Sequence, residues 1–418
     1  MIQNILLFEP KNRDDYYPFS ILHPIWEMRI GALKLFERFK LEFPNSNLLY
    51  FGNNLQTQSF LKRNNEIDKN FIKGNLLAIN SSVFPNNYFF TQIKKVIAEN
   101  IDNSFIFTFN NEPYGIYLTE KDASKSDEFT RKELLADLNV NLFSKFPKIE
   151  FSQIKKLNYL FDAIYLNKES LIEDKKYFSD YNKIQVHSSF SILNPDNVFI
   201  GQNVKIMPNA VLDATDGPII IDDEVTIMPQ ATILGPTYIG KNTIIKIGAK
   251  IYHNNSIGEW CKIGGEVEES IIQGYSNKQH DGFLGHSFLG EWVNLGADTN
   301  TSDLKNTYSN ITIRIENKEI DTGKMFVGLL CGDHTKSGIN TMFTTGSVVG
   351  ICGILVKEWF LPNFIPSFSW GGAKNSPVYK VEKAIETARI VMGRRNLKLL
   401  PEEEKLMKME YERVKSLR

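Results

Sequence analysis

The sequence of 418 residues has few cysteines, no long apolar run and almost no net charge. Its three cysteines, Cys261, Cys331 and Cys352, are too few for a disulfide framework and show no metal-ligand spacing. We therefore expect reduced thiols, no metal site built by the protein and a cytoplasmic location. No apolar stretch approaches the roughly 18 residues that span a bilayer. The formal net charge of −1 indicates neither a nucleic acid partner nor an anionic membrane surface.

The first residues also lack the pattern of a signal peptide. Residues 5–8 form a short apolar run with no basic region before it and no cleavage site after it, which favours a first β-strand. Across residues 1–185, short apolar runs alternate with helical patterns, which predicts an α/β domain. The predicted strands are residues 5–8, 47–51, 75–79, 104–109 and 114–118, and the predicted helices are residues 30–39 and 90–98.

A repeat of six residues follows this region. Isoleucine occupies every sixth position from Ile221 to Ile263, and after a shift of two residues the interval resumes at 271, 277, 283, 289 and 295. A helix would space apolar residues three or four apart and a strand two apart. A period of six is typical of a parallel β-helix, in which three short strands close a coil and successive coils stack their inward residues. We predict an all-β hexapeptide β-helix over residues 186–375.

Two segments depart from the repeat. Residues 299–321 are polar and lose the period, which predicts a loop extending from the β-helix, of a length that is often functional. Residues 376–418 predict a helical tail: apolar residues from Val381 to Met392 share one helical face, and Pro401 begins a second helix with an acidic first turn. The predicted regions are therefore 1–185, 186–375 and 376–418.

Three motifs of the second region resemble one enzyme family. The motifs are IIQGYSNKQHDGFLGHS at 271–287, GDHTKSGINTMF at 332–343 and NFIPSFSWGG at 363–372. They are similar to motifs in a divergent bacterial branch of the bifunctional family that joins N-acetylglucosamine-1-phosphate uridylyltransferase to glucosamine-1-phosphate N-acetyltransferase. The resemblance implies a nucleotidyltransferase-like first domain, a left-handed β-helix, and a homotrimer whose acyl site forms between neighbouring β-helices.

The resemblance assigns roles to residues of the β-helix. His280 lies where the family has its catalytic histidine, and Glu266 and Asn294 match a glutamate and an asparagine of that site. Phe283 replaces a tyrosine of the sugar-phosphate pocket, and Ala297 matches an alanine whose backbone meets acetyl-CoA. Acetyl transfer needs a deprotonated amine, and the near-neutral pKa of histidine suits the base.

The positive charge that the acyl site needs is harder to assign. Glu268 stands where other members of the family carry a phosphate-binding lysine, so we expect Lys278, Lys305 or Lys324 to supply that charge. His334 repeats the histidine pattern on a later coil. Two interpretations of His334 stay open, a place beside acetyl-CoA in a neighbouring subunit's site and a structural turn.

The first domain lacks the glycine-rich loop that cradles nucleotide phosphates in other members of the family. A segment with two arginines, residues 8–31, stands in its place, so Arg13 and Arg29 are candidate phosphate contacts. The run that ends at Asn80 has no carboxylate where the family has its metal-binding aspartate, which leaves Asn80 as a candidate nucleotide contact. The resemblance implies Mg²⁺ as a cofactor of nucleotidyl transfer.

Two functions are consistent with these features. The first is sugar-nucleotide biosynthesis for the cell envelope: acetyl-CoA-dependent N-acetylation of an amino-sugar-1-phosphate, coupled to nucleotidyl transfer from UTP or another nucleoside triphosphate. The alternative is a sugar-nucleotide-binding or scaffold trimer that retains one activity or neither. A zinc site for carbon dioxide hydration is disfavoured, because His280 and His286 are six apart and no second close pair exists.

Overall fold

The protein is described here by a computed structural model that covers residues 2–69, 73–124, 146–183, 189–356, 360–372 and 377–417. The chain divides into two compact units. Unit 1 comprises Met1–Tyr16, His23–Met28 and Leu33–Asn158, and unit 2 comprises Tyr17–Leu22, Arg29–Ala32 and Tyr159–Arg418. The predicted boundaries after residues 185 and 375 lie outside the described residues, so the division into three regions stays a prediction.

Unit 1 contains an α/β sheet. The strands up to residue 158 are Asn4–Phe8 (β1), Arg29–Ile30 (β2), Leu33–Lys34 (β3), Asn47–Phe51 (β4), Leu76–Asn80 (β5), Phe105–Phe109 (β6), Glu112–Leu118 (β7) and Lys148–Glu150 (β8). Six of them form the sheet in the order β4-β1-β5-β7-β6-β8. Strand β1 pairs in parallel with β4 and β5, and β7 runs antiparallel to β5 and β6. The α-helices are Leu35–Glu42 (α1), Asn54–Arg63 (α2), Asn87–Glu99 (α3) and Glu120–Ala123 (α4), and 3-10 helices span Arg13–Tyr16, Phe19–Ile21 and Ile25–Glu27. Of these elements, β2 and the 3-10 helix Phe19–Ile21 belong to unit 2.

Apolar clusters cover both faces of this sheet, which explains why β1 is buried along its whole length. Ile5 and Leu7 pack into one cluster, and Leu6 and Phe8 pack into the other. The five predicted strands are confirmed to within two residues at each end. The predicted helix at 30–39 is wrong at its start, because β2 and β3 occupy residues 29–34 and α1 begins only at Leu35.

Unit 2 is a parallel β-helix with three faces. The first face consists of Ser191–Leu193 (β10), Val211–Asp213 (β13), Thr232–Leu234 (β16), Lys250–Ile251 (β19), Glu266–Glu268 (β22) and Phe283–Gly285 (β25), and continues with Asn300–Thr301 (β27) and Met342–Phe343 (β32). The second face consists of Val198–Ile200 (β11), Ile219–Ile221 (β14), Thr237–Ile239 (β17), Asn255–Ile257 (β20), Ile271–Gly274 (β23), Phe288–Glu291 (β26), Leu329–Cys331 (β30), Ser347–Val349 (β33) and Phe364–Ile365 (β35), with Asn182–Lys183 (β9) antiparallel at its end. The third face consists of Lys205–Ile206 (β12), Thr226–Ile227 (β15), Ile244–Ile245 (β18), Lys262–Ile263 (β21) and Asn277–Lys278 (β24), followed by Lys336–Ser337 (β31) and Ile354–Leu355 (β34).

One apolar core runs inside the β-helix. It contains the isoleucines of the repeat from Ile221 to Ile263, which are buried because each stacks on the inward residue of the next coil. The predicted fold class, an α/β domain followed by a hexapeptide β-helix, is confirmed.

Between Ile263 and Leu289 the register differs from the prediction by one residue, whereas the predicted inward positions 289 and 295 are confirmed. Ile263 pairs with Lys278, and Ile257 pairs with Ile272, so the inward positions are 272, 278 and 284 rather than 271, 277 and 283. The cause is a shorter turn between the third face and the first face. The inward residue after Ile263 is Val267, only four positions later instead of six. Asn277 and Phe283 therefore face outward, and Lys278 faces the core.

The segment predicted as a loop at 299–321 has more structure than expected. Its first residues form β27, which pairs with β32 as part of a coil. Beyond it, Thr312–Ile315 (β28) and Lys318–Asp321 (β29) form an antiparallel hairpin inserted before β30. The predicted loop between coils is therefore confirmed for the residues beyond β27, whereas the first residues of the segment belong to a coil.

Helices flank the β-helix in sequence. Asp162–Asp174 (α5) precedes it, with 3-10 helices at Lys175–Phe178 and Pro195–Asn197, and Val381–Gly393 (α6) and Pro401–Ser416 (α7) follow it. The two tail helices confirm the prediction from the sequence. Among the described helices, none combines the length and the apolar character that crossing a bilayer requires.

Candidate functional site

His280 lies in a turn between the third and first faces of the β-helix. This third-to-first corner consists of the turns at 264–265, 279–282, 296–299 and 338–341. The His280 side chain is exposed, and within the described part of the chain its imidazole has no hydrogen-bond partner. An imidazole in this state is available to accept a proton from a bound substrate.

The turn on the next coil carries Ala297. The amide of Asp298 donates to the carbonyl of Asp281 at 3.1 Å, so this turn stacks directly on that of His280. The carbonyl of Ala297 accepts from the amide of Asn340 on the following coil at 2.8 Å. The structure thus brings His280 and Ala297 together as neighbours on one corner.

Two more predicted residues lie beside this corner on the first face. Glu266 and Phe283 are register partners on adjacent strands, and both side chains are half-buried on the outer surface. The amide of Phe283 donates to Asn300 Oδ1 at 2.8 Å, so Asn300 is the neighbour of Phe283 on the next coil of this face. Glu266, Phe283 and Asn300 therefore border the His280 turn on one side.

Asn294 borders the corner on the third face. It pairs through isolated bridges with Asn277 on one coil and Lys336 on the other, and Asn277 Nδ2 donates to Asn294 Oδ1 at 3.4 Å. Lys336 Nζ donates to the carbonyl of His334 at 2.7 Å, and burial lowers the pKa of Lys336. Asn277 and Lys336 were not predicted as neighbours of the site. Like Asn294, each occupies the outward position of a third-face strand just before the turn, and this shared position could have identified them.

The three candidate lysines have different environments. Lys278 Nζ is buried and donates to the carbonyls of Gly264 and His280 at 3.1 and 3.0 Å, and burial lowers the pKa of Lys278 to about 8. Lys305 Nζ donates to the carbonyl of Asn310 at 2.7 Å within the insertion. Lys324 Nζ lies 4.3 Å from the centre of the Tyr165 ring. Among the described contacts, only those of Lys278 reach the His280 turn, and they reach its backbone.

Glu268 lies on an acidic part of the first face. Burial raises the pKa of this carboxyl, and the nearby Asp303 carboxylate raises it further. His286 Nδ1 lies 2.8 Å from Asp303 Oδ2, and its ring stacks on Phe326 with centroids 4.9 Å apart. The departure of Glu268 from the family's lysine is thus part of a wider acidic surface.

His334 lies at a different corner, between the second and third faces. It is 6% exposed and stacks on Trp292 with ring centroids 6.2 Å apart, and Trp292 stacks on Tyr275 at 4.4 Å. Each of the three residues has a positive φ, the conformation that this corner requires. In a single subunit, His334 is therefore part of an aromatic row that is separate from the His280 corner.

In unit 1, polar side chains follow the carboxyl ends of the parallel strands, where α/β sheets bind ligands. Glu9 comes directly after β1 and is buried; its Oε2 accepts from the amide of Asn53 at 3.1 Å. Burial raises the pKa of Glu9, while Arg13, whose Nε lies 3.6 Å from Glu9 Oε1, opposes that rise. Arg13 also donates to Gln56. The Arg13 guanidinium thus lies at the edge where a nucleotide phosphate is expected.

Asn80 ends strand β5 at the same edge. Its Oδ1 accepts from the amide of Ser82 at 2.9 Å, which closes a tight turn. The hydroxyls of Ser81 and Ser82 are buried and have no hydrogen-bond partner in the described chain. Asn80 thus has a structural role in this turn, and its neighbours offer polar groups that sequence reasoning missed.

Arg29 belongs to unit 2 and is buried. Its guanidinium donates to the carbonyl of Ala32 at 2.6 Å and to Glu259 Oε2 at 2.9 Å, and it lies 5.2 Å from the centre of the Tyr238 ring. These contacts neutralise and stack the guanidinium within unit 2. They differ from those of Arg13, whose side chain is partly exposed.

Comparisons with known proteins agree with this two-part architecture. Residues 5–182 match a family model described as sugar nucleotidyl transferase. A bifunctional sugar-1-phosphate nucleotidylyltransferase/acetyltransferase from Sulfurisphaera tokodaii is 26% identical over 342 residues, covering 73% of this chain and 81% of that protein. The bifunctional protein GlmU of Methanococcus aeolicus is 24% identical over 335 residues, covering 76% and 77%.

The solved structures that match are more distant. A UDP-N-acetylglucosamine acyltransferase from Arabidopsis is 10% identical and covers 51% of this chain and 80% of that chain, with a TM-score of 0.24. This score is too low to support an inference. The two relatives named above are archaeal, so the bacterial branch predicted from the motifs is not confirmed.

Proposed function

We propose that the protein acetylates the amine of an amino-sugar-1-phosphate with acetyl-CoA at the His280 corner, and that unit 1 binds the nucleotide for the coupled nucleotidyl transfer. The class of enzyme predicted from the sequence, a transferase, is confirmed by the family match and the two bifunctional relatives. The observation that carries the site assignment is the stacking of the His280 and Ala297 turns on one corner, flanked by Glu266, Phe283 and Asn294.

In the proposed reaction the exposed His280 imidazole accepts the proton of the substrate amine as the nitrogen attacks the thioester carbonyl. The carbon–nitrogen bond forms, the tetrahedral oxyanion collapses, and CoA leaves as its thiol after taking up the proton. Asn294 orients the acceptor, and backbone amides of the Ala297 turn stabilise the oxyanion. Both substrates must be held in line, which a rigid corner of stacked turns favours. No covalent acyl-enzyme is required.

We further propose a cytoplasmic homotrimer that completes the acyl site between neighbouring β-helices. Ile339 and Val356 lie on the His280 side of the β-helix and are 72% and 59% exposed, which favours coverage by another subunit. The three cysteines are buried free thiols, as expected in a reducing compartment. The finer assignments, a bacterial branch and a place for His334 beside acetyl-CoA, rest on the motifs alone.

The described residues of unit 1 fit Mg²⁺ poorly. Glu9 is the carboxylate that directly follows β1, but it accepts from a backbone amide and lies beside Arg13, and Asn80 Oδ1 is already engaged with Ser82. A hard divalent cation needs several oxygen ligands free of competing donors. For unit 1 we therefore propose phosphate binding by Arg13 and derive no step through a metal.

The test is a panel of sugar-1-phosphates, with and without an amine, against acetyl-CoA and each nucleoside triphosphate. Release of CoA and of pyrophosphate is followed separately. His280→Ala should lower CoA release by about 10²- to 10⁴-fold, the usual contribution of a general base, and leave pyrophosphate release unchanged. His253→Ala, a change of the same kind in a turn between the first and second faces, is the matched control.

The outcomes separate the two functions. Undiminished CoA release by His280→Ala would refute the assignment of the base. A wild-type protein that releases neither CoA nor pyrophosphate across the panel would favour the scaffold alternative. Pyrophosphate release without CoA release would leave unit 1 as the active part.

A further inference from the structure

A lysine interrupts an apolar column inside the β-helix. On the third face the inward residues pair from coil to coil in the order Ile206, Ile227, Ile245, Ile263 and Lys278. Lys278 is 2% exposed, close to Ile227, Ile245 and Ile263, which are fully buried. Burying an ammonium is costly unless its donors are satisfied, and an isoleucine at this position would avoid that cost.

The Lys278 ammonium has specific partners in two successive turns of the third-to-first corner. It donates to the carbonyl of Gly264 at 3.1 Å and to the carbonyl of His280 at 3.0 Å. Gly265 leaves room for it, because a Cβ there would lie 2.7 Å from Nζ. One inward side chain therefore connects the backbone of the His280 turn to the turn of the preceding coil.

Burial lowers the pKa of Lys278 to about 8, and charged groups around this corner act on it as well. The carboxylates of Asp281, Asp298 and Glu266 favour the ammonium, whereas Lys250 opposes it. Asp281 and Asp298 belong to the two stacked turns of the candidate acyl site. The ammonium thus lies beneath the part of the surface where the reaction is proposed, and its hydrogen bonds are made to backbone rather than to solvent.

We propose that Lys278 is a positioning residue that holds the turn of His280 from inside the β-helix. Its catalytic consequence rests on the proposed function of His280. The turn is exposed and its imidazole makes no hydrogen bond to the described chain, so the place of the ring depends on the turn's backbone, which sets the direction of the His280 Cα–Cβ bond. Displacement of a catalytic group by about 1 Å lowers turnover by as much as about 100-fold.

The experiment compares Lys278→Met with the wild-type protein. Methionine fills the column with an unbranched apolar chain and removes the two hydrogen bonds. We expect kcat for acetyl transfer to fall by about 10- to 100-fold while the KM for acetyl-CoA changes by less than about threefold. Ile245→Met alters the same column two coils earlier, away from the turn, and should leave kcat within about twofold. A purely structural role for Lys278 would not produce this difference between kcat and KM.

A second readout does not depend on activity. The amides of Glu266 and Asp298 donate to the carbonyls of Gly282 and Asp281 in the His280 turn, both at 3.1 Å. Their hydrogen exchange should accelerate by about tenfold or more in Lys278→Met, but not in Ile245→Met. Retained kcat, or unchanged exchange of these two amides, would overturn the proposal. If the wild-type protein shows no acetyl transfer, the proposed function fails and the exchange measurement alone decides whether Lys278 holds the turn.

Discussion

Two stretches of the β-helix share one architecture but differ inside. The regular coils, residues 211–263, have isoleucine at nearly every inward position. The interrupted coils, residues 266–337, place Lys278 and Ser337 in the same third-face column. Both polar side chains bind backbone in the corner turns: Lys278 reaches the carbonyl of His280, and Ser337 Oγ accepts from the amide of Gly296 at 3.0 Å. The interior of the interrupted coils therefore supports the turns on which the reaction is proposed.

This difference shows how a repeat acquires a site. In the regular coils each inward residue contributes only apolar burial, roughly 25 cal/mol per Å² removed from water. In the interrupted coils some of that burial is exchanged for hydrogen bonds that fix particular turns. The regular coils then act as a scaffold, and the interrupted coils combine lower apolar burial with defined backbone geometry at His280 and Ala297.

The largest effect expected in this comparison comes from Gly282, the last residue of the His280 turn. Its φ is +116°, and a Cβ there would lie 2.2 Å from the carbonyl oxygen of Thr299. Gly282→Ala must therefore move the turn, and we expect acetyl transfer to fall by about 100-fold. Steady-state assays of CoA release measure the change.

Gly248 in the regular coils is the matched control. Its φ is +65°, but a Cβ there would meet nothing within 4 Å. Gly248→Ala should cost about 1–2 kcal/mol of unfolding free energy from the left-handed backbone and leave acetyl transfer within about twofold. Equal losses of activity in both variants would show that the two sets of coils do not differ in this respect.

Lys278 should also make the stability of the two stretches respond differently to pH. Burial lowers the pKa of Lys278 to about 8 in the folded state, below its usual value of about 10.4. Between these values the unfolded chain binds more protons, so the penalty is fully present below pH 8 and is relieved as the pH rises. Its size is about 3 kcal/mol.

The measurement is the difference in unfolding free energy between Lys278→Met and the wild-type protein. This difference should favour the variant most below pH 8 and shrink by about 3 kcal/mol by pH 10.5. The Ile245→Met variant changes no ionisable group, so its difference from wild type should stay constant over the same range. A constant difference for Lys278→Met as well would refute the burial of a charged lysine.

The sequence predicts the architecture well because inward residues of a β-helix recur at a fixed interval. It fails at the register after Ile263 because both Ile271 and Ile272 are buried. The outer side of the second face is covered by helix α5, which packs against β20 and β23. On this face, apolar residues are buried both against the core and against helix α5. The period alone therefore cannot show which of the two isoleucines faces the core.

The candidate site was predictable only in part for related reasons. The motif around His280 identifies a turn, and the stacking of that turn on the turn of Ala297 follows because three six-residue repeats close one coil. The lysines were not predictable, because an inward and an outward lysine have the same appearance in a sequence. Lys278 was expected to contact phosphate, and its ammonium instead donates to two carbonyls. Its proposed role is accordingly changed from binding to positioning.

The smallest effect is expected at Asn294, on the outer side of the third face. Asn294→Ala removes the amide that Asn277 contacts at 3.4 Å and that we propose orients the acceptor. We expect kcat/KM for the amino sugar to fall by about tenfold, about 1.4 kcal/mol, with the KM for acetyl-CoA unchanged. Thr226→Ala, at the same register position in a regular coil, should leave kcat/KM within about twofold. If the two variants behave alike, the outer row of the third face is scaffold along its whole length, and the acceptor must be oriented from the first face by Glu266 and Phe283.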